Sequence, residues 1–217
     1  MGVVFGLGGG AGGLMVRQNR VWPTGEIVAD AARGLFMGNR GCLHDADGRL
    51  GTARWRHLNW ITCALSCNGR KRSLLSPGKY TELFFMDEAV ACAAGHRPCA
   101  ECRRPVWNAF QAAWADVHGA MRAAEIDRTL HAARIEGKAQ RRDTAMARDF
   151  PDGTMVLIEG EVHLVQADRM RRWHPTGYGM VQSIPPGEVT VLTPTPLLAV
   201  MRAGWAPELH PTALDGR

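Results

Sequence analysis

Two short-spaced thiol pairs constrain this chain more than any other feature. Cys63 and Cys67 form C-x3-C, and Cys99 and Cys102 form C-x2-C. Each pair can supply two metal ligands from one turn. A fold that joins the turns makes a tetrahedral thiolate site, the usual environment of zinc. Any architecture must therefore bring residues 63–67 and 99–102 together. Six cysteines in 217 residues are too sparse for a disulfide scaffold, so metal is expected before bridges. Cys42 and His44 follow a turn and form an alternative ligand source in place of Cys67. Cys92 sits among alanines and reads as a core residue.

The surrounding pattern is mixed. GNRG at 38–41 and DADG at 45–48 are turn signals, and 55–62 (WRHLNWIT) reads as a strand leading into Cys63. Residues 80–85 read as a second strand. Asp87 is a cap for a short helix that Gly95 ends. Pro105 suits the first position of a longer helix, where Val106, Phe110, Trp114 and Val117 share one face until Gly119. A further helix over about 121–135 presents Ile126 and Leu130. Residues 137–148 are polar and basic and read as a linker or helix tail. A hairpin is expected over 155–166 with its turn at Glu159-Gly160, then strands at 169–173 and 189–193 and a helix at 196–204. The expected class is α+β.

The segments ITCALSCNGRKR (61–72) and TELFFMDEAVACAAGHRPCAECRRP (81–105) resemble the metal-binding domain of the bacterial Ada DNA-repair family. That family has a C-x3-C pair, a strand, a short alanine-rich helix and an Arg-Pro-Cys-x-x-Cys ending. The resemblance covers about residues 55–105. It implies four zinc ligands, Cys63, Cys67, Cys99 and Cys102. It also implies that Cys63 is a nucleophile that irreversibly takes a methyl group from a DNA phosphotriester, a suicidal self-methylation. Basic neighbours would then hold DNA phosphates, the candidates being Arg70, Lys71, Arg72, Arg97, Arg103 and Arg104. The second alkyl-acceptor motif and the helix-turn-helix region of the complete family are missing from the sequence. The alternative is a zinc-stabilised module that binds nucleic acid or protein without chemistry. A third reading places an active site in the carboxyl half.

The implied organisation is a tail over 1–15, an Ada-like zinc domain with its helices over 16–136, and a β-rich module over 150–217. The glycine-rich start lacks the basic residues of a secretory signal, and Met15 is a second candidate start. No stretch approaches ~20 uninterrupted apolar residues, so no membrane association is expected. Reduced, metal-binding thiols point to the cytoplasm. The formal charge of +5 is compatible with DNA as a partner without demanding it. Trp55 and Trp60, flanking the approach to Cys63, read as core residues first.

Overall fold

The computed structural model describes residues 16–67, 69 and 74–214. The expected tail, together with Arg70, Lys71 and Arg72, lies outside the described residues. The class is α+β, with two six-stranded sheets and four α-helices among those residues.

The first sheet is built from β1 (Gln18–Val21), β2 (Ile27–Ala29), β3 (Phe36–Asn39), β4 (Ile61–Ala64), β5 (Leu83–Phe85) and β6 (Arg97–Pro98), in the order β2-β1-β5-β3-β4-β6. Strand β3 pairs antiparallel with both β4 and β5, whereas β4 pairs parallel with β6. Close packing fixes Gly38 in β3. A Cβ there would stand 2.1 Å from the Ile61 carbonyl oxygen and 2.9 Å from the Phe85 ring. GNRG is thus a strand end followed by a buried arginine, Arg40, and only Gly41 takes a positive φ.

Helix α1 (Glu88–Ala93) begins at Asp87, whose Oδ1 accepts from the Val90 N–H at 2.9 Å. Helix α2 (Arg104–His118) carries proline in its first turn and stops at Gly119, as its sequence directs. Its buried stripe is Trp107, Phe110, Ala113 and Trp114. That stripe is rotated from the expected face: Val117 is 42% exposed, and Trp107 takes the inner position instead. Helix α3 (Ala123–Arg134) buries Ile126 and Leu130.

The segment expected as a linker is structured. It forms a small ribbon of β7 (Ile135–Glu136) and β8 (Ala139–Gln140), then β9 (Asp143–Met146). Strand β9 is the edge of the second sheet, paired with β14 (Glu188–Val191). The other members are β10 (Met155–Ile158), β11 (Glu161–Gln166), β12 (Arg169–His174) and β13 (Gly177–Ser183), in the order β13-β12-β11-β10-β14-β9. Glu159 and Gly160 both take positive φ in the β10–β11 turn, the geometry a two-residue hairpin requires. Helix α4 (Thr195–Arg202) follows.

The central strands of the second sheet are buried on both faces, and alternation sorts their residues. Met155 and Leu164 face a cluster that also contains Val21, Phe36, Phe85 and Val90. Val156 and Val165 face another, with Phe150 and Leu198. A third cluster joins Trp107, Phe110 and Trp114 of α2 with Ile126 and Leu130 of α3 and Leu197 of α4. The first cluster therefore draws on both the 16–136 and the 150–217 regions. Asp87 Oδ2 reinforces that junction, accepting from the Tyr178 hydroxyl at 2.8 Å and the His210 N–H at 3.0 Å. No helix among the described residues is long and apolar enough to cross a membrane.

Candidate metal centre

Strand register places the thiols. The parallel pairing of β4 with β6 sets Ile61 opposite Arg97 and Thr62 opposite Pro98. The next step brings Cys63 beside Cys99, whose N–H donates to the Thr62 carbonyl at 2.9 Å. The chain then turns through 100–103 into α2 and returns Cys102 to the same point. The three Sγ atoms of Cys63, Cys99 and Cys102 lie within 4.8 Å of one another. This cluster can hold a metal ion.

The electrostatics favour a bound cation. The Cys63 thiol donates to Cys99 Sγ, which lowers the Cys99 pKa to about 5 and raises that of Cys63. Cys99 Sγ also accepts from the Glu101 N–H at 3.4 Å. Burial raises the Cys102 pKa. A metal binding here would displace the protons that Cys63 and Cys102 retain. The donor set is all sulfur, which suits zinc.

Cys67 stands apart from the cluster. It lies beyond the end of β4, where no strand pairing fixes it, yet it lines the same cavity of about 390 Å³ as the other three. Neither Cys42 nor His44 joins the cluster. Cys42 Sγ donates to the His44 carbonyl at 3.7 Å, and both ring nitrogens of His44 are engaged, by Thr81 Oγ1 at 2.7 Å and the Ser76 carbonyl at 3.3 Å. Cys92 is buried among the helices, as expected of a core residue.

Two of the expected DNA-contacting arginines face inward. Arg97 makes a two-pronged pair with Asp127, both contacts at 2.8 Å, and its guanidinium lies over Trp107. Arg103 is paired with Glu88 and lies over Phe36. Both are at most 6% exposed. Flanking the thiol turn, they fasten it to α3 and α1 and cannot reach an outside phosphate. Arg104 is exposed at the start of α2.

Sequence reasoning missed the acidic side of the cavity. Glu82 is 1% exposed; its Oε2 accepts from the Leu75 N–H at 2.8 Å, and its Oε1 has no hydrogen-bond partner among the described residues. Glu101 lines the cavity as well. The one signal was a charged residue inside the apolar run of 80–85.

No protein-family model, curated protein or solved structure matches this chain.

Proposed function

We propose that Cys63, Cys99 and Cys102 bind zinc, with Cys67 closing a four-thiolate set from the cavity wall. We propose further that Cys63 accepts a methyl group from DNA methylphosphotriesters, in keeping with the resemblance to the Ada metal-binding domain. The observation that carries this reading is the position of Cys63. It lines the same cavity as Cys67, Cys99 and Cys102.

When bound, zinc keeps the ligand sulfurs deprotonated at neutral pH. Cys63 Sγ then attacks the methyl carbon of the triester. The S–C bond forms as the C–O bond breaks, and the phosphate leaves as a diester anion. Arg104 is the described member of the predicted phosphate contacts that remains available. The test is intact-mass analysis of the zinc-loaded chain after incubation with methylphosphotriester DNA. A gain of one methyl in place of a proton, mapped to Cys63 and missing in Cys63→Ser, is the expected result. No gain on a chain that retains zinc would reject transfer.

A second reading is a zinc site without chemistry. Glu82 and Glu101 favour it, because carboxylates at the cavity repel a DNA phosphate. Retained zinc, no methyl gain and unaltered protein folding would support that reading.

A further inference from the structure

A second cavity, of about 270 Å³, has the opposite chemistry. Two of its lining residues are the arginines Arg40 and Arg134, only 2% and 1% exposed. They stand at 4.1 and 3.8 Å from the ring centre of Trp60. Burying a guanidinium is costly unless a carboxylate accompanies it. Neither makes an ion pair among the described residues; Asp127, the carboxylate near Arg134, is committed to Arg97. Arg40 donates to the Gly25 carbonyl at 3.0 Å and to His96 Nε2 at 3.3 Å; Arg134 donates to the carbonyls of Gly95 at 2.7 Å and Leu58 at 2.6 Å. Burial, with repulsion from neighbouring cations, lowers their pKa values, Arg40 to about 9 and Arg134 to about 8.

Three more cations line the opening: Arg54, Lys138 and Arg142, all exposed. Glu26 is the one acidic lining residue. Two buried polar atoms here have no partner among the described residues. They are the donor Arg134 Nε and the acceptor Gln140 Oε1. The orientation of Gln140 is set by its Nε2, which donates to the carbonyls of Pro23 and Ala93 at 3.0 and 2.7 Å. Both atoms lie beneath the cavity wall rather than at its surface. Half-buried Trp55 adds an aromatic surface to the lining.

We propose that this cavity binds a small organic phosphate of the nucleoside monophosphate class, its phosphate facing Arg40 and Arg134 and its base against Trp55. The volume lies just below the usual range for ligand sites, so the ligand must be small and partly outside the cavity. Arginine forks match phosphate oxygens, and base stacking on an aromatic ring tolerates any base. The site is independent of the zinc reading.

The test is calorimetric titration of the zinc-replete full chain at low ionic strength. AMP is expected to bind saturably near roughly 10⁻⁴ M. Adenosine should not bind, and inorganic phosphate should compete more weakly than AMP. Because Arg40 and Arg134 are buried, the variants remove exposed cations: Arg54→Ala and the double variant Lys138→Ala/Arg142→Ala should each weaken AMP about fivefold or more. Arg128→Ala, an exposed arginine outside the lining, should leave binding unchanged. A short single strand with a 5′-phosphate separates the sources. Competition well above that of its 5′-hydroxyl counterpart assigns the phosphate to a strand end, and equally weak competition assigns it to a free nucleotide. No AMP binding up to about 10 mM, adenosine binding as well as AMP, or cation variants that bind like the wild type would overturn the proposal.

Discussion

The thiol cavity and the basic cavity are lined by consecutive residues, Ile61 in the first and Trp60 in the second, yet they treat buried charge in opposite ways. Beside the thiols, Arg97 and Arg103 are matched by Asp127 and Glu88. In the basic cavity, Arg40 and Arg134 lie on Trp60 with backbone carbonyls and imidazoles as partners and, among the described residues, no ion pair. Internal ion pairs are completed when the chain folds, whereas unmatched arginines retain attraction for an anion. The difference separates arginines whose charge is matched inside the fold from arginines whose charge is not.

The sharpest break of this comparison is a pair of substitutions. Arg97→Met leaves Asp127 charged and buried, so stability should fall by about 3–5 kcal/mol in urea unfolding. Arg40→Met removes a buried cation that faces repulsion from Arg54, so the loss should be at most about 2 kcal/mol despite its hydrogen bonds. Equal losses would erase the distinction between matched and unmatched arginines.

Asp87 extends the comparison to a buried carboxylate with no ion pair among the described residues. Burial raises its pKa to about 6. The unfolded value is about 4, so between these values the folded state holds more protons than the unfolded chain. Its contribution is full below about pH 4 and is lost as pH rises through about 6. We expect the wild type to lose about 2 kcal/mol over that interval relative to Asp87→Asn, measured by denaturant melts at each pH. A difference that stays flat with pH would show that Asp87 is already ionised in the folded chain.

The smallest effect concerns α2, whose inner face differs from the expected one. Val117→Ala should change stability by less than about 0.5 kcal/mol, whereas Trp107→Ala should cost about 3 kcal/mol or more in the same melts. The opposite ranking would restore the sequence-based face.

Legibility followed locality. The 155–166 hairpin, the cap at Asp87, the Pro105 start and the Gly119 stop are set within a few residues, and the structure contains all of them. The thiol turns were legible because each pair is local, even though strand register joins them. The expected 55–62 strand shortens to β4, since pairing with β3 and β6 begins only at Ile61. Residues 143–146 read as a linker because their partner, β14, lies more than forty residues onward. The basic cavity had no sequence signature. Arg40 was hidden inside a turn signal, and its companions come from 54–55, 134 and 138–142. Inward-facing Arg97 and Arg103 could not be told from surface cations until Asp127 and Glu88 were in place.

Zinc at the clustered thiols is decided by metal content. Elemental analysis of purified, folded protein should give about one zinc per chain. Cys99→Ser should lose that zinc, while Cys42→Ser and Cys92→Ser should retain it. A folded wild-type chain carrying clearly less than one zinc, or a Cys99→Ser chain that still carries it, would contradict the claim.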